Sequence, residues 1–220
     1  MTTTRTFLVI LINLSFSILP IVAHANPPSG IATLQTSSTV TTRNIIPEDT
    51  RALLSPSEQE EYLSELENVP PTWKTLHTQP GEEQGERLFR FNRARDTARE
   101  GHPLLTQRIG FLWSGILRTF NSEHQGFTVA MGPELTHTSW GIMRFKPVGL
   151  PDEMIAVPRK NLLLKLKSKI SQGEEIEVTI LFFGKLVPNE SIMYGFSHDG
   201  NEEGMIMPFV QIDQVNYILR

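Results

Sequence analysis

From residue 175 to residue 183 the chain alternates: Ile176, Val178, Ile180 and Phe182 interleave with Glu175, Glu177 and Thr179, until Leu181 and Phe183 make the second face apolar too. Successive side chains of a strand point to opposite faces, so this pattern reads as a strand that starts at an edge and ends inside a core. Such a strand needs a sheet around it and cover on both sides at one end. Phe111 to Phe120, Phe127 to Met131 and Trp140 to Phe145 supply three further candidates, each bounded by Gly, Pro or polar clusters. Met205 to Leu219 is a last one. Its apolar phase slips between Ile212 and Val215, which places a bulge or bend at Asp213-Gln214.

RKNLLLKLKSKISQG lies between the third and fourth candidates. Its leucines alternate with lysines as in a strand, yet Leu162, Leu163, Leu166 and Ile170 also share a helical face. Leu and Lys are good helix formers, only Ile170 is β-branched, and Gly173 offers a C-terminal stop, so helix is the better assignment. Three strands, a helix and two strands is the element order of an OB-fold, a small Greek-key barrel. An SH3-like barrel with an inserted helix gives nearly the same string. The expected fold is mainly β with α additions: a five-stranded OB-like barrel over 109–220 with one inserted helix, preceded by a helical segment over 48–108.

In that segment Ser55, Pro56 and Glu58 spell a capped helix start, and Pro70-Pro71 ends the helix. A second helix runs from about Glu82 to Glu100 and stops at Gly101. Leu88, Phe91, Ala94 and Ala98 share one of its faces while five arginines crowd the rest. Residues 48–86 hold ten acidic and two basic side chains, and residues 87–108 hold six basic and two acidic. The arginines are expected to pair with the acidic segment before them or to face water, in preference to forming a polyanion strip.

The first residues read as an export signal over 1–25. Arg5 precedes an apolar stretch from Phe7 to Val22, and Ala23-His24-Ala25 puts small residues where a signal peptidase cuts. At about 16 residues and broken by Pro20, the stretch is short of the roughly 20 that span a bilayer. An uncleaved anchor is the alternative. Residues 26–47, rich in Ser, Thr and Pro, read as a flexible linker. The chain has no cysteine, which suits a periplasmic domain better than a disulfide-stapled secreted one. Its weak net acidity offers no general drive toward nucleic acid. No integral membrane span is expected after signal cleavage.

No motif specifies a reaction, and none calls for a cofactor. Ser197-His198-Asp199 puts three triad residue types side by side, but triads are assembled from distant positions. Asp199, Asn201, Glu203, Gly204 and Ile206 follow the spacing of a calcium loop, but Val210 stands where its bidentate carboxylate belongs, so no metal site is assigned. Glu123, His124, Glu134 and His137 lack the two-histidine helical spacing of a zinc hydrolase. The expected function is therefore a periplasmic or secreted, non-enzymatic binding or assembly module for a protein, glycan or other polymer of the cell envelope. The alternative is a hydrolase or metal-dependent enzyme using His124, His137 or His198 with nearby carboxylates. An OB-like barrel grips ligands with the loops joining strands one to two and four to five. These map to Asn121–Gly126 and about Pro188–Gly204, making His124, Tyr194 and His198 the candidate ligand-binding residues.

Overall fold

The computed structural model describes residues 28–36, 42–78, 83–197 and 203–220. Along them run β1 (Ile31–Thr36), β2 (Thr50–Ala52), α1 (Pro56–Glu67), α2 (Trp73–Thr78), α3 (Gln84–Arg99), β3 (Arg108–Asn121), β4 (Gly126–Gly132), β5 (Thr136–Thr138), β6 (Gly141–Met143) and β7 (Lys146–Val148). Then follow β8 (Ile155–Pro158), α4 (Lys160–Ser171), β9 (Ile176–Leu186), β10 (Ile192–Phe196) and β11 (Gly204–Leu219). The fold is mainly β with four helices among the described residues, and its sheet mixes parallel and antiparallel pairs. No helix among these residues is long and apolar enough to cross a membrane.

The capping box forms. Ser55 Oγ accepts from the Glu58 amide at 3.3 Å, and the Glu58 carboxylate accepts from the Ser55 and Leu54 amides, each at 2.9 Å. Burial pushes the Glu58 carboxyl up, but hydrogen bonds from Ser55, Arg43 and these amides outweigh it and hold the group below its ordinary range.

β3 lies between β4 and β9, and β9 pairs with β11, all antiparallel; β4 also pairs antiparallel with β8. β1 joins β8 and β11, parallel to both, so the path β1–β8–β4–β3–β9–β11 returns to its start. Inside lie Phe111, Trp113, Phe127, Phe182 and Tyr217, all buried, with Phe111 stacked on Phe145 at 4.3 Å between ring centroids. α4 buries Leu166 and lays Lys167 over the Phe120 ring, which puts the helix at the Asn121 end of β3. The register of β11 against β9 shifts between Ile212 and Gln214, at the expected bulge, and the Asp213 carboxylate released there accepts from Arg108.

Several expectations are corrected. The segment read as a linker contributes β1, whose Leu34 is fully buried and whose Gly30 carbonyl accepts from the Tyr217 hydroxyl at 2.6 Å. The strands number eleven among the described residues, not five, because short pieces β2, β5, β6, β7 and β10 border the long ones. Beside β4 lies β8, which pairs with both β4 and β1. Of the Trp140 to Phe145 candidate only Gly141–Met143 is strand, paired with Met205 and Ile206 of β11. α2 follows Pro70-Pro71 as an extra helix. Its Trp73 donates from Nε1 to the Trp140 carbonyl at 2.6 Å and lies flat on Gly204, where a Cβ would come within 1.8 Å of the ring.

Candidate functional site

α3 has almost no segregated apolar face, and the side it turns to the protein is largely polar. Leu88, Asn92, Arg95 and Arg99 follow one another at helical spacing and meet β10 and the end of α1. Asn92 Nδ2 donates to the Tyr194 carbonyl at 2.9 Å while its Oδ1 accepts from the Tyr194 amide at 2.7 Å. Arg99 Nη2 donates to the Ile192 carbonyl at 3.1 Å. Two side chains of α3 thus occupy the outer edge of β10, which another strand would otherwise contact.

The charge that Arg99 brings inside is matched by Glu67, the last residue of α1. Glu67 accepts from Arg95, Arg99 and the Tyr194 hydroxyl, and its side chain is 1% exposed against 2% for Arg99. Burial, reinforced by the Glu67 carboxylate, pushes the Tyr194 phenol far above its ordinary value, so it stays protonated and donates. The carboxylate thereby ties α1, α3 and β10 together. Arg87 is spent on the Leu76 and His77 carbonyls. These arginines serve the fold.

On the outer side of the α3–β10 contact two hollows open, and Asp96 lines both. The smaller, a socket of about 220 Å³, is walled by Gly85, Leu88, Phe89, Ile192, Met193 and Tyr194. Phe89 is 62% exposed and Met193 38%, although both are large and apolar. Arg93 and Glu190, 2.8 Å apart, form a solvated ion pair at its rim. The larger, a cleft of about 710 Å³, runs between the end of α3 and the β9–β10 connection, with Glu100, His102, Lys185, Leu186 and Ser191 in its walls. Ser191 is 2% exposed. His102 Nδ1 accepts from the Leu104 amide at 3.3 Å, capping the turn that follows it. Asn189 and Glu190, consecutive at the rim, both have positive φ, at 59° and 48°. Asn tolerates that conformation; Glu holds it at a cost.

The expected site residues do not gather here. Tyr194 is 1% exposed and belongs to the core, packed against Trp73 and Phe91. His124 is half-buried in the β3–β4 turn, its amide donating to Asn121 Oδ1 at 3.1 Å. Leu117 faces Ile176 and Ile109 faces Gly184, so that turn and the connection after Leu186 leave from opposite ends of the β3–β9 pair. His137 is exposed on β5, near the start of β11 and far from His124 along the sheet. His198, Asp199, Asn201 and Glu202 lie outside the described residues. Among those described, no three His, Cys, Asp or Glu side chains are grouped to hold a metal.

Phe89 and Met193 escaped the sequence reading, although each carried a signal. Phe89 falls off the apolar face shared by Leu88 and Phe91, and Met193 is the outward member of an Ile-Met-Tyr alternation. Compared with known protein families, curated proteins and solved structures, the chain matches none.

Proposed function

We propose that this chain is an exported, non-enzymatic binding or assembly module of the cell envelope, and that the groove between α3 and β10 is its contact face. The observation that carries the reading is the pair Phe89 and Met193, large apolar side chains left in solvent on either side of an apolar socket. Single exposed apolar residues are ordinary, but two flanking a concavity are what a partner's anchor residue needs. The scaffold we read as OB-like. β3, β4, β8, β9 and β11 take the roles of its five strands, α4 stands between the third and fourth, and β1 is seated between the third and fifth. The groove then uses the connection between strands four and five, where such barrels carry binding loops, and leaves the His124 turn out.

Site-directed photocrosslinking tests this in cells. A benzophenone side chain at Met193 or Lys185 is expected to give discrete adducts with envelope components, and the same group at Lys165 on α4 none. Equal labelling from all three positions would count against the groove. Amino-terminal sequencing tests the export reading, with Asn26 as the expected first residue.

A further inference from the structure

Resting on that reading, we propose that the groove takes an extended peptide segment, seating one large apolar side chain in the socket and laying the adjoining residues along the cleft past Asp96. The socket, at about 220 Å³, is smaller than the pockets of about 300–1,000 Å³ that enclose whole small ligands. It fits one side chain. Leu88, Ile192 and the flexible Met193 give that side chain apolar contact, and a thioether adapts to anchors of different shape.

The occupant cannot add to β10 as a further strand at Tyr194, because Asn92 already holds that residue's amide and carbonyl. Recognition here is therefore led by a side chain and not by a β-ladder. The cleft beyond suits peptide polarity of either sense. Ser191, Lys185 and Glu100 offer a hydroxyl, an ammonium and a carboxylate beside the apolar Leu186. The walls mix both signs, with Glu190 paired to Arg93 and Glu100 set against Lys185, so they form no strip for a polyanion, and a sugar ring would find few hydrogen bonds in the socket.

Gly85 provides a clean block. It stands in the first turn of α3 in the socket wall, and a Cβ built there meets nothing within 4 Å. Gly85→Leu fills the socket while improving helix propensity by up to about 1 kcal/mol, so the fold keeps or gains stability. The probes are N-acetyl-leucinamide, N-acetyl-phenylalaninamide and N-acetylglucosamine, titrated into the isotopically labelled full chain and read by backbone amide shifts. Saturable shifts at Gly85, Leu88 and Met193 are expected with the two amino-acid amides, weakened roughly tenfold or more in a Gly85→Leu protein of undiminished melting temperature. Shifts that survive in Gly85→Leu, or the same amides moved by the sugar instead, would overturn the assignment. If photocrosslinks form from Lys185 but neither amino-acid amide enters the socket, the peptide assignment falls and the binding-module reading stands.

Discussion

Replacing Glu67 by glutamine keeps the side chain's shape and removes the one charge it brings to the α1–α3–β10 junction. The Tyr194 hydroxyl still finds an acceptor in the amide oxygen. The loss falls on Arg95, whose side chain is 16% exposed, and on Arg99, which is almost completely enclosed and, among the described residues, keeps only Asp96 at 3.4 Å as counter-charge. Each charge-assisted bond is worth about 1.5–3 kcal/mol, but the two guanidinium groups share one carboxylate and their losses do not add. Breaking a buried pair by removing one partner costs about 3–5 kcal/mol, which we take as the magnitude for Glu67→Gln. With a urea dependence of about 2 kcal/mol per molar, the unfolding midpoint should fall by about 2 M at unchanged slope. Far-UV circular dichroism across a urea series measures both quantities. Adding Arg99→Met to Glu67→Gln removes the orphaned charge and should recover part of the loss. A midpoint shift below about 0.5 M, or a double variant less stable than the single one, would refute a dry, charge-matched junction.

Leu34→Ala should cost about 2–5 kcal/mol in chemical denaturation, because Leu34 is fully buried in β1; a change near zero would return this segment to the status of a linker. Gly204→Ala drives a methyl into the Trp73 ring and should destabilise by about 1–3 kcal/mol with a shifted tryptophan emission, whereas wild-type emission and stability would show the ring free to move. Glu58 is held below its ordinary pKa, so its contribution is complete above the unfolded carboxyl value near about 4.3 and is lost as pH falls through the lower folded value. Glu58→Ala should therefore cost about 1 kcal/mol at pH 7 and flatten the acid limb of stability against pH; an unaltered limb would deny the capping carboxylate this role.

The parts of the fold written in local patterns were legible in the sequence. The Ser55 to Glu58 box, the stop at Gly101, the helical choice for Leu162 to Ile170 and the slip at Asp213 each rest on neighbours within a few residues, and each stands in the structure. β1 and β8 left almost no such trace. Ile31–Thr36 is half Thr and Gln with only Leu34 buried, and Ile155–Pro158 is four residues long; both are strands because distant partners make them so. Tyr194 was misplaced for a similar reason. A long polar connection suggested an exposed loop, although Ile192 and Tyr194 on one face against Met193 on the other is the period of a strand. The groove needs Asn92 beside Tyr194 and Glu67 beside Arg99, meetings that only the folded chain arranges.

The position of β1 also sets the order in which this protein can be finished. One of the strand's two neighbours is β11, with Leu34 opposite Tyr217, so all the other described elements lie between the two strands in the chain. Loop-closure entropy has to be met before a contact so distant in sequence gives anything back, and topologies dominated by such pairings fold slowly. During synthesis β1 has no β11 to join until every element between them has been made. The pairing of β1 with β11 therefore stays open while those elements are added, and Leu34 and Tyr217 come together late.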